Sequence, residues 1–251
     1  MRGGGLGWDR AMSDSPYILT RSEVEYERRW KLLHDDLRNL ANSISLLNIL
    51  HECKRTYLVE MNVSPAFYNT IEEALWSHVV VSTWKYFDKR RDVYGLSKHL
   101  EWVSKHLEIF TVESKARRFG LTIDHPRILG SSDLTLDDLA AYRRRYDSQR
   151  SSSKRIEEAR HTVYAHRNES LLKANSKGVS LKEIKVAFNC IFWILDQISV
   201  CWDGTHYFAA VGNIGDITET LRIVKTFREK GGYSHAFNRK SARYIDKGDI
   251  K

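Results

Sequence analysis

The chain has 251 residues, 42% of them hydrophobic and 11% aromatic, which excludes a disordered polypeptide and leaves enough apolar material for a sizeable core. Forty lysines and arginines against 32 aspartates and glutamates give a net charge of +8, a balance that favours polyanionic partners such as nucleic acid or an acidic lipid surface. The three cysteines, Cys53, Cys190 and Cys201, are widely spaced with no C-x-x-C pair, which argues against a disulfide framework or a zinc site and reads as three buried small hydrophobic residues in a reducing compartment.

The start, "MRGGGLGWDRAM", lacks the apolar stretch of a secretory signal. Residues 1–20 are expected to be an N-terminal extension, in part vector-derived or from an upstream start, with Met12 a candidate natural first residue. A long helix is expected over 21–53, where Trp30, Leu33, Leu37, Leu40, Ile44 and Leu47 line up one apolar seam suited to another helix of the chain or to a second copy. After a turn at "NVSPAF", a second helix is expected, with Thr70 as cap and Glu73 as its capping-box partner. Its middle, "VVVSTW", is apolar nearly all round, as befits a central helix. "YGLSKHLEWVSKHLEIF" reads as a third helix with Leu96, Leu100, Val103 and Leu107 on one stripe.

Residues 112–133 read as a loop, punctuated by Gly120, Pro126 and Gly130. Helical character resumes at "LTLDDLAAYRRRYDSQRSSSKRIEEARHTVYAHRNESLL", with a break expected at "SQRSSS". Ser180 and Glu183 spell a capping box that opens "LKEIKVAFNCIFWILDQISVCW". That apolar run is interrupted by Asn189, Asp196 and Gln197, so no membrane span is expected. "GTHYFAAVGNIGD" reads as a loop. Asp216 and Gly231 bracket a last helix, and 231–251 form a basic tail. No strand pair and no internal repeat are visible. The sequence implies an all-α, single-domain helical bundle over 21–230 with a long N-terminal helix.

The stretch "EEARHTVYAHRNES", residues 157–170, concentrates groups suited to handling a phosphate. An arginine can clamp a phosphate and stabilise charge developing on it; a histidine titrates near neutrality and can move the proton of a ribose hydroxyl or a leaving oxygen. Arg160 and His166 supply both functions, and His161 and Tyr164 add a proton carrier or a hydrogen-bond donor. Spacing by itself does not select this pair. Arg29 and His34, Arg118 and His125, Arg155 and His161, and Arg228 and His235 fit the same pattern of an arginine, four to six residues and a histidine. On an ideal helix six residues leave two side chains about 120° apart, so a site in one copy is cramped and a two-fold dimer would complete it.

Elsewhere, "YRRRY" at 142–146 interleaves aromatics with Arg143, Arg144 and Arg145, as nucleic-acid surfaces do, although an ordinary amphipathic turn looks the same. "DKRRD" at 88–92 reads as a solvated charge run, and His99 and His106 as packing or surface residues rather than metal ligands. Trp76, Trp84 and Trp193 fall on apolar faces and read as core. No Gly-rich phosphate loop or nucleophile elbow is present, and no cofactor is expected.

Arg160, His161, "TVYA" and His166, in that order, resemble the signature of the HEPN superfamily: an arginine, a polar residue, a few mostly apolar residues and a histidine on a core helix. "ALWSHVVVSTWKYFDKRRDVYGLSKHLEWV" resembles the second and third helices of the U-type abortive-infection branch, and "GNIGDITETLRIVKTF" its closing element. The resemblance spans roughly residues 22–228. It implies an all-α bundle that dimerises, often a metal-independent endoribonuclease of phage-defence or toxin–antitoxin systems. By this resemblance Arg160 and His166 form the catalytic pair with His161 as the supporting polar residue; Tyr164 is a further catalytic candidate by its place beside them, and Arg167, Arg143, Arg144 and Arg145 are the expected RNA contacts. The expected partners are RNA, a second copy of the chain and an antitoxin protein, in the cytoplasm. The competing expectation is a non-catalytic HEPN module that binds nucleotide, RNA or a protein.

Overall fold

The computed structural model describes residues 17–161, 179–206 and 216–230. Among these residues there are nine α-helices, one 3-10 helix and no strand, so the fold is all-α. The helices are α1 (Arg21–Thr56), α2 (Leu58–Met61), α3 (Pro65–Phe87), α4 (Leu96–Ser104), α5 (Val112–Arg118), α6 (Leu136–Ser148), α7 (Arg150–Ala159), α8 (Leu181–Asp203) and α9 (Asp216–Glu229), with the 3-10 helix at Leu107–Phe110. Most of the expected loop "GTHYFAAVGNIGD", Gly231 and the tail lie outside the described residues. The chain groups into two compact units. One comprises Met1–Asp35, Lys85–Ser153 and Val186–Phe208; the other comprises Asp36–Trp84, Lys154–Lys185 and Ala209–Lys251.

Helix α1 begins where "TRSE" spells a capping box. The Glu23 amide donates to Thr20 Oγ1 at 3.3 Å, and the Thr20 amide donates to Glu23 Oε2 at 2.7 Å. The seam Trp30, Leu33, Leu37, Leu40, Ile44 and Leu47 is buried throughout. Of the two uses its sequence allowed, it is spent inside the chain and is not open to a second copy.

In the first unit Glu23 is fully buried, and its Oε1 accepts from Arg117 and Arg118, each at 3.0 Å. Burial pushes its carboxyl pKa up, but the Thr20 amide and the Arg118 guanidinium outweigh that and hold it below the ordinary value of 4.5. The two arginines lie on α5, inside the stretch expected to be loop. Seven residues are too few for a periodicity to register, although Thr111 caps this helix by accepting from the Ser114 amide at 3.1 Å. Tyr26 joins the same core, with ring centroids 4.9 Å from Phe110 and 4.5 Å from Trp202. The stripe Leu96, Leu100 and Val103 is buried as expected, but α4 stops at Ser104 and Leu107 opens the 3-10 turn. Gly95 precedes α4, and a Cβ there would lie 2.9 Å from the Lys85 carbonyl and 3.0 Å from that of Asp88, so the close backbone approach requires glycine.

In the second unit Leu50, Cys53, Met61 and Leu221 form a buried cluster, with Tyr57, Tyr68, Ile71, Leu75 and Ile217 packed against it. Glu60 is buried beside them and pairs with Arg228 at 2.9 Å. Helix α3 starts at Pro65, five residues before the expected cap. Proline suits the first helical position because its missing N–H would have no intrahelical partner there, and Thr70 falls inside the helix. The Ser180–Glu183 box does form: the Ser180 amide donates to Glu183 Oε2 at 2.8 Å, and the Glu183 amide donates to Ser180 Oγ at 3.3 Å. The break expected at "SQRSSS" narrows to Gln149, between α6 and α7.

Helix α8 is long and apolar enough to cross a membrane by length and composition. Its apolar side chains Ile184, Ala187, Ile191, Ile194, Leu195 and Ile198 are fully buried within the protein, as those of a core helix are.

Candidate functional site

Helix α7 is anchored by buried Ile156 and Ala159, and it continues directly into a π-helical turn at Arg160 and His161. Such turns widen the helix and are frequent at functional sites.

The Arg160 guanidinium carbon lies 3.7 Å from the ring centroid of Trp84, on α3 of the same unit. Its Nη1 is buried and makes no hydrogen bond. The exposed His161 ring meets the same indole edge-on, with centroids 6.5 Å apart and planes at 71°. Trp84, read from the sequence as core, is buried but also serves as the platform for both residues. An arginine over a tryptophan face gains roughly 0.5–2 kcal/mol, depending on how far the pair is desolvated. No sequence signal links position 84 to position 160.

The arginines of the competing Arg–His intervals have other employment. Arg29 pairs with Glu25 at 2.6 Å and lies over the Tyr94 ring. Arg118 pairs with Glu23 at 3.0 Å and donates to the carbonyls of Ile109 and Trp202 at 2.7 and 2.6 Å. Arg155 is bound to Glu183, and Arg228 to Glu60 at 2.9 Å. Arg160 has no carboxylate partner among the described residues. Buried donors without a hydrogen bond also occur at Arg29 Nε and Arg228 Nε, so it is the missing carboxylate that sets Arg160 apart.

Tyr164, His166 and Arg167 lie outside the described residues. Arg143, Arg144 and Arg145 are exposed on α6. Arg145 lies 4.2 Å over the Trp193 ring, and Tyr142 meets that indole edge-on at 5.4 Å. Trp193 and Trp76 are therefore half-buried rather than core, and Trp193 carries a cation on its face.

The "DKRRD" run is not wholly solvated. Asp88 is buried and accepts from the Arg90 amide and from Arg90 Nε, both at 2.9 Å, which ties the turn after α3. His99 is fully buried with Nδ1 3.0 Å from the Tyr94 hydroxyl. Burial, helped by the positive charge of Arg29, lowers its pKa to about 3. His106 stacks on Trp102 at 4.0 Å. Both histidines are packing residues. Cys53, Cys190 and Cys201 are free thiols, the first two buried and the third half-buried.

The described helices make an all-α protein, and the comparison of its sequence with known families makes the class specific. The model of the HEPN family described as AbiU2 matches residues 23–216. The chain belongs to that family, the abortive-infection branch of the HEPN superfamily. No curated protein and no solved structure matches the chain.

Proposed function

We propose that this HEPN protein is a metal-independent endoribonuclease of a phage-defence or toxin–antitoxin system, and that Arg160 and His166 are its catalytic pair. The helical domain of residues 21–230 carries the site, with residues 1–20 and 231–251 outside it. His166 takes the proton from a ribose 2′-hydroxyl, and that oxygen attacks the adjacent phosphorus. The 5′-oxygen of the next nucleotide leaves and receives a proton from His161, Tyr164 or water. Arg160 stabilises the negative charge that builds on the phosphate oxygens. Atoms balance without a metal: the products carry a 2′,3′-cyclic phosphate and a 5′-hydroxyl.

The observation that carries this reading is the state of Arg160. Unlike the arginines of the other Arg–His intervals named above, it has no carboxylate partner among the described residues. Arg143, Arg144, Arg145 and Arg167 are proposed to hold the RNA backbone, consistent with the exposure of the first three and the net charge of +8. A homodimer completes the site, an antitoxin protein restrains it, and the protein works in the cytoplasm.

The test is incubation of the purified protein with total RNA in EDTA. Cleavage that persists in chelator, leaves cyclic phosphate ends and vanishes in His166→Ala supports the proposal. Cleavage that needs magnesium or leaves 5′-phosphate ends overturns the mechanism. RNA binding without cleavage favours the non-catalytic module.

A further inference from the structure

The two residues at the head of the Arg–His motif share one support. The Arg160 guanidinium lies 3.7 Å over the Trp84 face, and the His161 ring meets the Trp84 edge at 6.5 Å. Both sit in the π-helical turn that follows α7. A long arginine with no carboxylate partner among the described residues would otherwise sample many rotamers. Fixing it costs entropy at the moment of reaction unless the fold has already done so.

The indole is well placed for this. It is 7% exposed, on the long helix α3, and so is itself held by packing. A cation over an aromatic face keeps its charge and its outward donors, whereas one paired to a carboxylate is partly neutralised. Arg155 shows the alternative a few residues earlier, bound to Glu183.

We infer that Trp84 is a positioning residue for the active site: its π-face presets the Arg160 guanidinium for a phosphate oxyanion without neutralising it. The inference rests on the proposed nuclease reading for its consequence and on the stacking geometry for its cause.

The experiment compares wild type, Trp84→Phe, Trp84→Leu, Arg160→Ala and the Trp84→Leu/Arg160→Ala double variant. Leucine keeps an apolar side chain but removes the face; phenylalanine keeps a smaller face. Thermal melting selects conditions at which all are folded. Trp84→Leu is expected to slow single-turnover RNA cleavage by about 3- to 30-fold, with RNA affinity unchanged and Trp84→Phe intermediate. In the Arg160→Ala background the same leucine substitution should cost nothing further, because the group it positions is gone. An equal loss in both backgrounds means a purely structural role and overturns the inference, as does a wild-type rate in Trp84→Leu.

A second readout needs no activity. The Arg160 side-chain Nε–Hε NMR signal, assigned by its loss in Arg160→Ala, should be ring-current shifted in wild type and return toward the random-coil position in Trp84→Leu. If no variant, including wild type, cuts RNA, the nuclease reading falls, and this signal alone decides whether Trp84 holds Arg160. An unshifted signal in wild type overturns the inference.

Discussion

Arg118 in the first unit and Arg160 in the second lie at nearly the same distance from an indole, 3.6 Å over Trp202 and 3.7 Å over Trp84. Their other contacts differ completely. Arg118 gives its donors to Glu23 and to two main-chain carbonyls, and burial lowers its pKa even against the pull of Glu23. It cannot serve a ligand without breaking the core. Arg160 keeps a buried Nη1 with no partner and no carboxylate among the described residues. The same side chain on the same kind of aromatic face is structural in one unit and, in the reading proposed above, functional in the other. The partners of the fork decide which.

The largest expected effects concern cleavage and sharpen this contrast. His166→Ala should lower single-turnover cleavage by about 10²–10⁴-fold with RNA affinity nearly unchanged, the span of a positioned acid or base. Arg160→Ala should cost about 10²–10³-fold, the range for removing one charge-stabilising donor. Arg160→Lys should rescue it poorly, because lysine keeps the charge and loses the planar fork. Wild-type rates in both variants would make the Arg–His block a polar helix face.

Arg118→Ala should show the opposite profile. It leaves buried Glu23 with only the half-exposed Arg117 as counter-charge and two main-chain carbonyls without their donor, and up to about 3–5 kcal/mol of stability should be lost in urea unfolding. Arg160→Ala should stay within about 2 kcal/mol of wild type, the upper value of the lost cation–π contact. Equal destabilisation by the two substitutions would break the comparison.

A third expectation concerns pH. His99 has its folded pKa lowered from 6.5 to about 3, so below pH 6.5 the unfolded chain takes up a proton that the folded chain refuses. Stability from this group is complete above pH 6.5 and falls toward pH 3, by about 1.4 kcal/mol per pH unit in the middle of that range. Glu23, held below 4.5, adds the same sign of slope, but only as pH falls below that value. The difference in urea stability between wild type and His99→Gln, followed from pH 7 to 5, isolates the histidine; a difference independent of pH would contradict it.

The smallest effect tests the cap that carries Glu23. Thr20→Ala removes one side of the α1 capping box and should cost about 1 kcal/mol, read as a small fall in melting temperature with cleavage unaffected.

Much of the fold was legible because its signals are local. The seam on α1, the stripe Leu96, Leu100 and Val103 on α4 and the Ser180–Glu183 box all express helical spacing or cap chemistry within a few residues, and each is realised, although Leu107 falls beyond the helix. The errors are also local in origin. Thr70 and Glu73 spelled a box, but Pro65 had already opened the helix, and α5 was too short to show a period. At the candidate site, the sequence offered several Arg–His intervals of similar spacing, and only the resemblance of one block to a family singled out Arg160.

What the sequence determined by itself was the helical class, the starts of α1, α8 and α9, and a set of residues with the right chemistry. The tertiary structure decided which arginines that set could spare. Glu23 meets Arg118 across 95 positions, and Trp84 meets Arg160 across 76, separations over which no spacing rule operates. Local pattern fixes which way a helix faces the core, because hydrophobic burial depends on residues one turn apart. Whether a charged group is neutralised, stacked or left with a free donor depends on which distant side chain packing brings against it.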